Sequence, residues 1–147
     1  LPAKFIRDLT NPGDIVLDPI MGSGTTIVEA YLNGRQGIGF DIDPLALKIA
    51  KGKVTSISRE EASFTGQVLI ERTIASIECK REDLDGELRS RWDLKTKEFV
   101  DYWFERDTQL ELISLVNEIK TIKNPDLKEF FELTLSGIVV TKSIDVY

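Results

Sequence analysis

Apolar and polar positions divide the chain into a short first part of mixed periodicity and a longer part whose periodicity is helical. Pro2 followed by Ala3, Phe5, Ile6 and Leu9 at helix-like intervals predicts a short helix over residues 2–9. Asn11-Pro12-Gly13-Asp14 is a turn signal. Ile15-Val16-Leu17 is a continuous apolar run and predicts a buried strand, as in a parallel sheet covered on both faces. Thr25 to Asn33 predicts a helix carrying Ile27, Val28, Ala30 and Tyr31, closed by Gly34. Residues 36–40 return to an extended pattern, with Asp41 at the carboxyl end. Asp43 and Pro44 read as the cap and first turn of another helix, lined by Leu45, Ala46, Ile49 and Ala50. The result is a β-α-β-α unit whose crossover is expected to be right-handed.

Beyond Lys53 the pattern weakens until residues 67–79, where Val68, Ile70, Ile74 and Ile77 restore a helical spacing. Residues 80–98 are the most charged stretch and include Lys80-Arg81-Glu82-Asp83 and Arg89-Ser90-Arg91. Their alternating signs predict a solvated linker or exposed helix in preference to a phosphate site. Trp92, Phe99, Tyr102, Trp103 and Phe104 follow, and are expected to anchor helices in a core rather than to stack on bases. Further helices are predicted from Thr108 to Ile122 and from Leu127 to about Val140, separated by Asn124-Pro125-Asp126. No third strand is signalled. The expected division is an α/β portion over residues 1–52 and a mostly helical extension over 53–147.

Composition narrows the chemistry. With 147 residues, 41% hydrophobic and 30% charged, the chain fits a soluble globular domain. No apolar run reaches the roughly 18 residues of a membrane span, so a cytoplasmic protein without a membrane partner is expected. Leu1-Pro2-Ala3-Lys4-Phe5 is neither a signal peptide nor a natural start, as expected of a processed chain or a fragment. There is no histidine, and Cys79 is the only cysteine. Histidine acid-base catalysis and most zinc chemistry are thereby excluded, no metal site is expected, and Cys79 reads as a structural thiol. The net charge of -6 gives no whole-chain footprint for nucleic acid.

Against this background Asp18-Pro19-Ile20-Met21-Gly22-Ser23-Gly24-Thr25-Thr26 stands out. Two glycines between a strand and a helix permit a sharp turn and close approach of a polar cofactor to backbone amides. No lysine follows Gly24, which argues against a phosphate loop, and the third glycine of the dinucleotide fingerprint is absent. Asp18 suits a ligand bearing an ammonium or sulfonium group, and equally suits capping of the loop through the Ser23, Gly24 or Thr25 amides. Asp41 is placed for the hydroxyls of a ribose.

The same corner resembles the DNA methyltransferases that modify exocyclic amino groups, the N4-cytosine and N6-adenine enzymes. Their S-adenosyl-L-methionine motif, Asp-Pro-Phe-x-Gly-Ser-Gly-Thr-Thr, matches residues 18–26 with Ile20 in place of the aromatic. Gly39-Phe40-Asp41-Ile42-Asp43-Pro44-Leu45-Ala46 and Pro2-Ala3-Lys4-Phe5 are also similar to the family. The later segments, from Trp103-Phe104 and from Leu127 to Ser143, loosely resemble a helical insertion of one branch. The resemblance implies a partial Rossmann-like α/β methyltransferase fold with parallel strands and a helical C-terminal half. It implies that Asp18 and the Gly22-Ser23-Gly24 backbone hold the amino-acid part of S-adenosyl-L-methionine, with Pro19 and Thr25 also in the cofactor site. By the same resemblance Lys4 and Phe5 lie near its methionine portion, Asp41 binds the ribose, and Ile42 or Leu45 covers the adenine.

The family's catalytic Ser/Asp/Asn-Pro-Pro-Tyr/Phe motif is not found. The five prolines, Pro2, Pro12, Pro19, Pro44 and Pro125, are nowhere adjacent. Asp145-Val146-Tyr147 is no substitute. No catalytic residue is therefore assigned, and the chain by itself is expected to be inactive. Duplex DNA is the expected partner of the complete enzyme. The incomplete sheet calls for the rest of the same protein, a second subunit or self-association. A non-catalytic subunit or degenerate binding module is the alternative, with an RNA or small-molecule methyltransferase a more distant one.

Overall fold

The computed structural model describes residues 1–142, and side chains through residue 139. Asp145-Val146-Tyr147 lies outside the described residues. The chain divides into two compact units, Leu1–Ser56 and Ile57–Tyr147.

In the first unit, α1 (Pro2–Leu9), β1 (Ile15–Asp18), α2 (Thr25–Leu32), β2 (Gln36–Gly39) and α3 (Pro44–Val54) follow in order. Proline begins α1 and α3, where its missing N–H costs no helical bond. The Asp43 carboxylate accepts the Leu45 N–H at 2.9 Å and caps α3. Gly34, at φ +74°, ends α2 in the left-handed region. β1 and β2 pair in parallel, with Ile15 opposite Gln36 and Asp18 opposite Gly39. The two strands therefore end side by side, which brings the glycine corner and Asp41 to the same sheet edge.

α2 lies on one face of this sheet. A Cβ at Gly37 would fall 3.0 Å from Ile27 Cγ2 and 3.2 Å from Ile27 Cα, and one at Gly39 would collide with Met21 Sδ and fall 3.0 Å from Ile27 Cδ1. Glycines in β2 thus let the helix backbone come close. Among the described residues of this unit the opposite face has no such cover: Ile15 is 60% exposed, Leu17 59%, Ile38 44% and Phe40 60%. The buried strand expected at Ile15-Val16-Leu17 is corrected here. The strand forms, but only the face that meets α2 is covered, so alternate side chains stay in solvent.

The second unit consists of α4 (Arg59–Arg91), α5 (Leu94–Trp103), α6 (Arg106–Lys120) and α7 (Pro125–Lys142). Ser58 caps α4 by accepting the Glu61 N–H, and Asp93 caps α5 through the Thr96 N–H. Leu84 and Leu88 of α4 pack with Leu110 and Ile113 of α6, joined by Ile77. The charged stretch is a continuation of α4 through a non-helical residue, Lys80. α5 buries no residue. Phe99 is 62% exposed and Tyr102 58%, which overturns for these two the expectation that the aromatics anchor a core, whereas Trp103 and Phe104 are half-buried. Phe99 and Tyr102 pack instead against the half-buried Trp103, whose ring meets Tyr102 edge-on at 5.2 Å.

Asp85 links α4 to α6. Its Oδ1 accepts from Arg106 Nε at 2.8 Å, and its Oδ2 pairs with Arg89 at 2.6 Å. The Arg106 hydrogen bond, with the charges of Arg106 and Arg89, holds the Asp85 carboxyl below the ordinary carboxylate range against an opposing contribution from burial. A depressed folded-state pKa stabilises above the unfolded value of 3.8 and is lost as pH falls through the folded value. Asp85→Asn is expected to lower the urea midpoint at pH 7. The gap to the parent chain should close at the acid end, and a gap that persists there would contradict the linkage.

Candidate cofactor site

The glycine corner is a four-residue turn closed by the Gly24 N–H, which donates to Met21 O at 2.9 Å. Both glycines take positive φ, +53° at Gly22 and +79° at Gly24, but for different reasons. A Cβ at Gly24 would lie 2.5 Å from Ala50 Cβ and 2.9 Å from Ala50 Cα. Gly24 is buried, and its missing side chain lets α3 lie against the loop. A Cβ at Gly22 would meet nothing within 4 Å. Gly22 is exposed and leaves open space over its backbone, the surface a ligand can approach.

Two backbone bonds and a carboxylate join the corner to the end of β2. Met21 N–H donates to Phe40 O at 3.0 Å, and Phe40 N–H to Asp18 O at 2.9 Å. Asp41 Oδ2 accepts the Gly22 N–H at 2.8 Å and its Oδ1 accepts the Asp43 N–H at 2.9 Å. These two N–H groups, that of Asp43 first, hold the Asp41 carboxyl below its ordinary value, with a weaker opposing effect of burial. Asp41 is thus a latch on the loop. Each oxygen keeps lone-pair capacity for a hydroxyl as well.

The other residues expected at the site are placed as follows. Asp18 Oδ1 accepts the Ile20 N–H at 3.1 Å, in a local turn at the strand end. It does not cap the Ser23, Gly24 or Thr25 amides, and α2 has no side-chain cap. Pro19, Ser23 and Thr25 are exposed. Phe5, 53% exposed, lines a groove of about 380 Å³ with Leu9, Val16 and Thr26, which places it opposite the first turn of α2. Lys4 is exposed on α1. Ile42 is fully exposed and Leu45 half-exposed at the start of α3. Turn, strand end and helix start therefore converge. Among the described residues the Lys4 side chain makes no hydrogen bond or ion pair with them.

Three features of the corner were not read from the sequence. Gly37 and Gly39 seat α2 on β2, and their alternation in Gln36-Gly37-Ile38-Gly39 was the available signal. Ala50 supports Gly24, and only its small size hinted at close packing. Lys53, in the last turn of α3, donates from Nζ to Ser23 O at 2.8 Å. In sequence such a lysine merely complements a helix terminus.

The arginines between α4 and α6 do not make a competing anion site. The cleft lined by Arg81, Asp85, Arg89 and Arg106 has these cations engaged: Arg81 with Asp107, and Arg89 and Arg106 with Asp85. Arg91 pairs with Glu87 at 3.1 Å. The charged stretch reads as ion-paired helix surface, as expected. Among the described residues no helix is long and apolar enough to cross a membrane.

A parallel β-α-β unit with a glycine corner after its first strand and a carboxylate after its second is a partial Rossmann-like methyltransferase fold. Residues 1–52 match the DNA methylase family, a family-level match to the N4/N6 DNA methyltransferases over that part of the chain. It is 30% identical to the type II methyltransferase M.MvaI of Kocuria varians, over 83% of this chain and 26% of that protein. It is 32% identical to the type II methyltransferase M.HpaI of Haemophilus parainfluenzae, over 80% of this chain and 34% of that protein. With the DNA adenine methyltransferase YhdJ of Escherichia coli it shares 38% identity, over 48% of this chain and 24% of that protein. The chain thus spans about a quarter to a third of the lengths of these relatives. No solved structure matches it.

Proposed function

We propose that this chain is the S-adenosyl-L-methionine-binding part of a cytoplasmic DNA methyltransferase that modifies the exocyclic amino group of cytosine (N4) or adenine (N6). The observation that carries the reading is the corner itself. Its exposed face over Gly22 is open, while its buried face is braced by Ala50 and its Gly22 amide is latched by Asp41. That is a rigid cradle with a free approach on one side, and the chemistry of its donors fits the proposed ligand. Asp18 supplies a carboxylate with lone-pair capacity to spare for the ammonium end. The Ser23 and Thr25 amides are the donors for the carboxylate end, and Asp41 accepts from the ribose. When bound, S-adenosyl-L-methionine supplies a sulfonium methyl group with a good leaving group, so reaction needs positioning more than a nucleophilic enzyme residue.

The clamp for the acceptor is a separate matter. A Pro-Pro-aromatic segment polarises the target amino group and stacks on the flipped base, and none occurs in residues 1–147. The chain provides the cradle and not the clamp. Duplex DNA then meets the complete enzyme, with the clamp supplied by other sequence or by another subunit.

Calorimetry of the isolated chain with S-adenosyl-L-methionine is expected to show saturable heat, and its absence at millimolar ligand overturns the cradle. With tritiated cofactor and duplex DNA the isolated chain is expected to incorporate no label. Detectable incorporation removes the half-site reading. The bare face of Ile15, Leu17, Ile38 and Phe40 favours completion of the sheet by further protein. Light scattering is accordingly expected to show association of the isolated chain.

A further inference from the structure

We propose that Lys53 is a positioning residue for the glycine corner: its ammonium holds the Ser23 carbonyl on the α3 side of the loop, and cofactor affinity depends on that anchor. The proposal rests on the reading of the corner as an S-adenosyl-L-methionine cradle. Its physical basis is the Ser23–Gly24 peptide group, which is gripped at both ends. The Gly24 N–H donates to Met21 O at 2.9 Å, and the Ser23 carbonyl accepts from Lys53 Nζ at 2.8 Å. The residue that follows this peptide sits at φ +79°, and glycine there lacks the steric barrier that would otherwise fix the backbone. An external anchor therefore matters more at this peptide than at an ordinary one.

The anchor comes from the helix already in contact with the loop. Ala50 and Lys53 are three residues apart and share a face of α3. Ala50 fills the space that a side chain at Gly24 would need, and Lys53 reaches over the neighbouring carbonyl. With its oxygen drawn toward α3, the peptide cannot turn that oxygen toward the open side over Gly22. A carbonyl on that side would repel the carboxylate of an amino-acid ligand. The ammonium also places a positive charge at a loop flanked by the carboxylates of Asp18 and Asp41, which favours the same carboxylate.

The test uses the full chain with ¹⁵N label, and the variants Lys53→Met, which keeps the stem, and Lys53→Arg, which keeps a cationic donor. Circular dichroism establishes that each is folded. Without ligand, Lys53→Met is expected to shift the Gly24 amide resonance and speed its hydrogen exchange, and Lys53→Arg to restore both in large part. With S-adenosyl-L-methionine, Lys53→Met is expected to weaken binding by about 5–20-fold, between an ordinary hydrogen bond and the low end of one to a charged group, because the bond is exposed. Lys53→Arg should return to within about twofold, because a cationic donor is kept. Unchanged Gly24 signals in folded Lys53→Met overturn the anchor, whatever the ligand does. A moved Gly24 signal with unchanged affinity overturns the positioning role. Failure of the parent chain to bind overturns the cradle reading and the positioning role together, while the Gly24 signals still decide the anchor by themselves.

Discussion

Gly24→Ala is expected to unfold the glycine corner and abolish measurable cofactor binding, whereas Gly22→Ala leaves the fold intact. Both substitutions place a Cβ on a left-handed residue, which costs roughly 1–2 kcal/mol. Only at Gly24 does that atom also collide, at 2.5 Å from Ala50 Cβ and 2.9 Å from its Cα. The neighbour is helix backbone and the stub of an alanine, with no flexible end to swing aside. Overpacking of this kind costs about 1–3 kcal/mol more. A unit of residues 1–56 with one side of its sheet uncovered has little reserve against the combined cost. Urea denaturation is expected to show a clear fall in midpoint for Gly24→Ala and a smaller one for Gly22→Ala. Calorimetry should then separate the two glycines by cause, since binding is lost with the corner's structure in Gly24→Ala. In folded Gly22→Ala the added methyl stands in the ligand's approach, so affinity drops without loss of structure. Equal midpoints for the two variants would refute the division of roles.

Asp41→Ala is expected to weaken S-adenosyl-L-methionine binding by about tenfold or more, through loss of the loop latch and of a ribose acceptor together. Asp41→Asn separates the two contributions, because it keeps one acceptor oxygen for the Gly22 N–H while losing the charge. The pH dependence follows from the sign of the shift. The Asp43 and Gly22 N–H groups depress the folded-state pKa of Asp41. The latch is therefore complete above the unfolded value of 3.8 and is lost as pH falls through the lower folded value. The Gly22 amide resonance is expected to titrate in that acid range in the parent chain and to be flat in Asp41→Asn. A parent chain in which the Gly22 signal does not follow the Asp41 carboxyl would show that the latch does not form in solution.

Both predictions depend on contacts that differ in how far they can be read from sequence. Asp41 was legible. It ends an extended segment that follows a glycine turn and helix, and parallel pairing places consecutive strand ends at one edge. Its contact with the Gly22 amide was not legible, since the spacing that suits a ribose also suits a backbone donor. Asp18 was legible as a carboxylate at the corner, but its partner was not. The nearest amide that its short side chain reaches belongs to Ile20. The aromatics around α5 show the opposite error. Hydrophobic rings in a row look like a core, yet whether they are covered depends on what lies across from them, and Phe99 and Tyr102 face solvent.

What the sequence determined by itself is the local frame: the proline starts of α1 and α3, the Asp43 cap, the Gly34 stop, the order strand, glycine turn, helix, strand, and the motif that names the family. Each is set by interactions within a few residues, where backbone sterics and capping leave little choice. Tertiary structure decided the rest. It made Gly24 a packing residue and left Gly22 open to solvent, brought Lys53 to Ser23 across thirty positions of chain, and left one face of β1 and β2 bare. Those outcomes depend on which surfaces meet. A glycine, a lysine or an apolar strand carries no local signal of what will lie against it.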